Sequence, residues 1–104
     1  MLSFPAEYQR YLESHGLFEG NTSGDPGYIA LWSIADIPSN NADIRIEEYA
    51  PGYLAFAGDG GGEVLAFNSA GEVFMLPLIG MEPRYARKVA ASFSELASRF
   101  EAAP

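Results

Sequence analysis

Phe56-Ala57-Gly58-Asp59-Gly60-Gly61-Gly62-Glu63-Val64-Leu65-Ala66-Phe67 sets four glycines around one aspartate, between two short runs of apolar and aromatic residues. A phosphate cradle would need backbone N–H groups at a helix N-terminus, usually with a Lys and a Ser or Thr just after the glycines. Here the glycines run into Glu63 and then into strand formers, so the mononucleotide pattern lacks its lysine. The dinucleotide pattern fails too, because Glu63 stands where the third glycine belongs. Two carboxylates at the loop would repel an anion. The residues read instead as a tight β-connection, bulged or not, in which glycine supplies positive φ or lets backbones approach closely.

Outward from that connection the chain reads as a meander of Tyr53–Ala57, Val64–Asn68 and Glu72–Leu78. Asn68-Ser69-Ala70-Gly71 is its second turn, with Asn at the first position and Gly at the fourth. Upstream, Pro5 in a first turn, Glu7 near the N-terminal end, and Phe4, Tyr8, Tyr11 and Leu12 at helical spacing predict an amphipathic helix. His15-Gly16 closes it, with Gly16 just past the end. Glu19–Gly27 reads as a polar loop and Tyr28–Trp32 as a strand. Ser33 and Asp36 have the spacing of a capping pair, with Ile34 and Ile37 as an apolar edge before Pro38 stops the turn. In Asn40–Tyr49, Ile44 and Ile46 alternate as in a strand, yet Asp43 can cap a short helix ending before Ala50-Pro51-Gly52. The helix is preferred. Ser92-Phe93-Ser94-Glu95 is a capping box, and Phe93, Leu96, Ala97 and Phe100 follow on one helical stripe. Ala86, Val89 and Ala90 continue that stripe backwards, which leaves the start of the last helix open.

The 104 residues, 48% of them hydrophobic, suit one domain spanning residues 1–104 that buries roughly two-thirds of its unfolded surface. There is no cysteine, which excludes disulfides and thiolate chemistry and suits a reducing compartment. Met1–Glu7 lacks the basic and apolar regions of a signal peptide. The run Val73–Ile79, broken by Pro77, is far short of the roughly 20 residues of a membrane helix. A cytoplasmic, soluble protein is expected.

Charge separates function classes further. Fourteen acidic residues oppose six basic ones, a formal net charge of -8. Residues 1–83 hold twelve of the acids but only two of the bases, Arg10 and Arg45. Such a field repels nucleic acid and anionic membranes and favours encounter with basic partners. Excess carboxylates also serve solubility alone.

Phe4-Pro5-Ala6-Glu7-Tyr8 with Leu12 and Gly16, Leu31-Trp32-Ser33-Ile34, Gly58–Glu63 with Ala66-Phe67, Pro77-Leu78-Ile79-Gly80-Met81 and Ala91–Leu96 occur in that order across most of the chain. In order and spacing the chain resembles the SUKH superfamily, the group that includes a yeast cell-wall-assembly regulator and many bacterial toxin-immunity proteins. That resemblance implies a SUKH-like topology. The element order itself argues for an α+β domain with a mostly antiparallel sheet covered by helices on one side.

The parts for catalysis are few. His15 is the sole histidine and sits in the last turn of the first helix, where a cation favours the dipole. No Gly-x-Ser-x-Gly elbow, cysteine nucleophile or lysine beside a glycine loop occurs. Asp59 and Glu63 flank the glycine loop and are the one carboxylate pair suited to acid–base work or to a hard cation, although the ligand spacing of a calcium loop is missing. Trp32 ends an apolar strand and is assigned to the core. Tyr49 and Tyr53 flank the Ala50-Pro51-Gly52 bend, where at least one ring should be exposed, as on a protein-binding surface.

The expectation is therefore a non-enzymatic binding protein without a cofactor or metal. The resemblance makes it an immunity protein, and the acidic field suits a basic toxin domain such as a nuclease. Asp43, Glu47, Glu48, Tyr49, Tyr53, Asp59 and Glu63 are its candidate contacts, with carboxylates standing in for phosphates and an aromatic anchor supplying affinity. A regulatory scaffold in cell-envelope or secretion control shares every one of these features. A small hydrolase or ligand-binding domain around Asp59 and Glu63 is the third reading.

Overall fold

The computed structural model describes residues 3–101. Six strands lie in one sheet in the order of the sequence, each antiparallel to its neighbours: β1 (Glu19–Asn21), β2 (Tyr28–Leu31), β3 (Leu54–Gly58), β4 (Glu63–Phe67), β5 (Val73–Pro77) and β6 (Arg87–Ala90). With four short helices the domain is α+β, as expected from the element order. The sheet curls: the Arg87 guanidinium on β6 lies 2.7 Å from the Asp25 carboxylate in the β1–β2 turn, although β1 and β6 are opposite edges.

Inside the curl lies the larger core. Leu65 and Phe67 of β4 and Val73 and Met75 of β5 point there, meeting Tyr8 of α1 (Ala6–His15) and Phe93 and Leu96 of α4 (Phe93–Ala97). Tyr8 is wholly buried, with its ring edge-on to Phe56, Phe67 and Phe93 at 5.3, 5.9 and 4.9 Å. Each such pair adds about 0.5–1.5 kcal/mol beyond the area it buries. The Tyr8 hydroxyl donates to the Trp32 carbonyl at 2.6 Å, and burial pushes its pKa well above the usual phenol range.

The alternate residues of the same strands, Val64, Ala66 and Leu76, face the other way into a second cluster with Ala55, Ile46, Ala50 and Met81. Both faces of the central strands are therefore covered, and helices do not sit on one side only. That is why β4 is buried from Val64 to Phe67 without the polar alternation of a half-exposed strand. A bulge between Ala55 and Ala57 turns both Phe56 and Ala57 toward the larger core. Trp32 is half-buried and packs against both clusters.

Local signals place several ends where the residues predict. Gly16 takes φ 75 and its N–H reaches the Leu12 carbonyl at 2.8 Å. Gly71 N–H donates to the Asn68 carbonyl at 3.1 Å, and the Ser92 hydroxyl caps Glu95 N–H at 3.1 Å. Other segments differ from expectation. Glu19–Asn21 is a strand, because β2 pairs with one edge and the C-terminal segment with the other: Ser23 N–H to the Arg99 carbonyl and Glu101 N–H to the Asn21 carbonyl, at 2.8 and 3.0 Å. Arg87–Ala90 is a strand as well, so the last helix does not reach back through Ala86 and is only five residues long. Pro38 does not stop a turn but sits in the first turn of α2 (Ile37–Ile44), where its missing N–H costs nothing. Asp43 lies within α2 and is not its cap.

Candidate functional site

The segment from Ser33 to Leu54 wraps the end of the sheet and builds a groove. Ser33 accepts from Asp36 N–H at 3.2 Å and opens a 3-10 turn, Ile34–Asp36, which passes straight into α2. Asn41 then fastens α2 to the sheet. Its side-chain N–H₂ donates to the Ile37 and Ala55 carbonyls and its carbonyl accepts from Ala55 N–H, all at 2.8 Å. Pairing of β2 with β3 ends where Trp32 N–H meets the Phe56 carbonyl, so the carboxamide takes the place of a strand partner for Ala55. Because all three bonds are buried, losing the carboxamide would strand the Ala55 groups without water.

α2 breaks at Arg45, the one non-glycine with positive φ among the described residues (φ 56). Its carbonyl accepts from Glu48 and Tyr49 N–H at 3.1 Å, which starts the short α3 (Ile46–Tyr49) in a new direction, with Ile46 buried as the pin. The Arg45 guanidinium lies 2.5 Å from the Glu48 carboxylate and 5.4 Å from the centre of the Tyr49 ring. Between Ser3-Phe4, the 3-10 turn, α2, α3 and Tyr53-Leu54 a groove of about 670 Å³ remains. Phe4, Ile34, Ile37 and Leu54 form its apolar floor, Pro38 and Ala42 a wall, and Arg45, Glu47 and Glu48 its rim.

Glu47, Glu48 and Tyr53 thus line one groove, whereas Asp43 on α2 and Tyr49 on α3 stand outside its lining. Tyr49 is exposed, and Tyr53 is half-buried with its ring edge-on to Phe74 at 5.3 Å. Asp59 and Glu63 are not with them. They stand at the far end of β3, five residues or roughly 16 Å along the strand from Leu54. There the Asp59 carboxylate accepts from Gly61 and Glu63 N–H at 2.8 and 3.0 Å, and its own N–H donates to the Glu63 carbonyl at 3.1 Å. The left-handed glycines of this loop are Gly60 (φ 75) and Gly62 (φ 102), not Gly61. Among the described residues no group of three or more His, Cys, Asp or Glu side chains is placed to hold a metal. His15 is exposed and stacks on Tyr11 at 4.6 Å, as suits a helix-end residue.

The curled meander with its wrapped helices extends across the span that a family comparison covers: the model of the SMI1 / KNR4 family (SUKH-1) matches residues 1–99. The chain belongs to that family. Among curated proteins none matches it. Membership of that family is consistent with a chain that interacts with another protein. The groove was only half legible in the residues. The acids and tyrosines of its rim stand out by type, whereas Phe4, Ile34, Ile37 and Leu54 look like ordinary core. One signal was present: Asn41 falls four residues after Ile37 on an apolar stripe, where a polar side chain needs a buried partner.

Proposed function

We propose that this SUKH-family chain is a non-enzymatic protein-binding module of the immunity type, which neutralises a basic toxin domain by docking its α2–α3 side against it. The observation that carries this reading is the pairing pattern of the charges. Five of the six basic residues are held in ion pairs with the chain's own carboxylates: Arg45–Glu48, Arg84–Glu82, Arg87–Asp25, Lys88–Glu72 and Arg99–Glu95. Glu47, exposed on the lining of an apolar groove, has no such partner among the described residues, and neither has Asp43, exposed on α2. An apolar seat within a rim of free charge is the layout in which affinity comes from the seat and encounter rate from the rim. The Asp59–Glu63 loop suits catalysis less, because its aspartate is already bound by the loop's own N–H groups. The test is to co-express the product of the neighbouring gene, measure association by surface plasmon resonance, and raise the salt. Association should slow roughly tenfold between low and physiological ionic strength, with little change in dissociation. A partner that is itself acidic, or association indifferent to salt, would overturn the reading.

A further inference from the structure

We infer that the groove receives a segment of the partner's chain in which large apolar side chains stand next to a lysine or arginine. This rests on the protein-binding reading above and narrows it to one kind of contact. The groove's volume, about 670 Å³, lies within the roughly 300–1,000 Å³ of clefts that bury most of a bound ligand. Its floor is hydrocarbon from Phe4, Ile34, Ile37 and Leu54. Hydrocarbon of that kind takes apolar side chains; the neutral polar residues of the lining are Ser3, Tyr53 and Asn41, the last already bonded within the chain.

The rim decides the charge of what enters. Arg45 is the sole cation among the lining residues, and its guanidinium is engaged by the Glu48 carboxylate at 2.5 Å and the Tyr49 ring. An anionic head group would have to displace Glu48 to reach it. Glu47 lines the same mouth and has no ion-pair partner among the described residues. The mouth therefore attracts a cation next to the apolar anchor and repels an acid.

The seat is also built before the partner arrives. Asn41 clamps α2 to β3 by three buried hydrogen bonds, and the left-handed Arg45 fixes the angle at which α3 presents Glu47 and Glu48. Non-glycine residues held in that region carry strain and cluster at binding sites. A preformed seat lowers the ordering cost of docking. Leu78 and Ile79 are the other adjacent pair of exposed apolar residues, with Ile79 94% exposed, and neither lines the groove.

A displayed library of random peptides, selected on the purified full chain at low salt, tests this without knowledge of the partner. The enriched peptides should carry two or more large apolar residues within two positions of a Lys or Arg. A synthetic peptide of the enriched sequence should shift amide resonances of Ile34–Ala42 and Arg45–Glu48. Its affinity should fall about tenfold when its Lys or Arg is exchanged for Glu, and at least tenfold in an Ala42→Trp variant. Ala42 is exposed on α2 and lines the groove, so the added ring occupies the seat while leaving the buried cores alone. Enriched peptides that are acidic or indifferent to charge would overturn the inference. So would resonance shifts confined to Asp59–Gly62 or Leu78–Gly80, unchanged binding by Ala42→Trp, or the absence of any enriched binder. A toxin partner that binds Ala42→Trp as well as the parent chain would leave the immunity reading intact and remove the groove from it.

Discussion

The two ends of β3 carry acids in similar number and put them to opposite uses. At the Leu54 end, Glu47 is exposed on the lining of an apolar seat and Asp43 is exposed on α2, neither with an ion-pair partner among the described residues, while Glu48 holds Arg45 in place. At the Gly58 end, Asp59 turns its carboxylate inward onto the Gly61 and Glu63 N–H groups and closes its own loop. In sequence the two sets look alike, carboxylates next to glycine or tyrosine. The difference is local geometry: Asp59, two residues before Gly61, satisfies backbone donors that would otherwise be orphaned, whereas no backbone N–H is bonded to the Asp43 or Glu47 carboxylate among the described residues. A carboxylate at a glycine loop is thus first a builder of that loop, and only a carboxylate without such work is free to meet a partner.

That contrast can be broken most forcefully at the loop. Gly60 has φ 75, and a Cβ there would come within 3.2 Å of the Tyr28 ring, so Gly60→Val should cost about 2 kcal/mol or more and lower Tm by on the order of 10 °C. Gly61 has no positive φ, and its nearest neighbour, the Asp59 carboxylate, is at an ordinary 3.7 Å. Gly61→Val should change Tm little, and thermal melts of the pair distinguish a geometric need from a mere preference for glycine. Asp59→Ala comes next. Loss of two hydrogen bonds to a charged acceptor should cost about 1–2 kcal/mol, seen as a lower denaturant midpoint, with partner binding unchanged once the protein is folded. Asp43→Asn with Glu47→Gln should do the reverse: Tm should hold, while association with a basic partner slows several-fold at low salt and converges with the parent at high salt.

The smallest effect lies away from both ends. Glu72 accepts from Lys88 and Asn68, and these contacts, the Lys88 one first, hold its pKa below the usual carboxylate value. A depressed folded pKa contributes stability that is present above the unfolded value of about 4.5 and is lost as pH falls through the folded one. Glu72→Gln should therefore flatten the acid limb of Tm against pH only slightly, since the carboxylate is open to solvent.

What could be read from the residues follows the range of the interactions. Gly16 after α1, Asn68–Gly71 and the Ser92 cap are settled within about four residues and appear where expected, while Pro5, expected in the first turn, stands just before it as the N-cap. The three-strand meander was legible for the same reason, because its turns carry their own chemistry. Glu19–Asn21 was not, since Glu-Gly-Asn has no strand preference and is held extended by β2 and by Arg99–Glu101 from far along the chain. Val89 and Ala90 fit a helical stripe as well as a strand, and pairing with β5 decided between them. Pro38 signals a boundary without saying on which side the helix lies. In the groove, the charged rim was visible by residue type, but its floor was not, because apolar side chains left half-covered are written in the same letters as those fully buried.

The central claim is that a partner meets this chain at the α2–α3 groove and not at the glycine loop. Hydrogen–deuterium exchange of the complex with the neighbouring gene's product measures this directly. Protection on binding should appear across Ile34–Tyr49 and at Tyr53, with the Asp59–Gly62 amides exchanging as in the free protein. Protection confined to Asp59–Gly62 and Leu78–Gly80, with α2 and α3 unaffected, would contradict it.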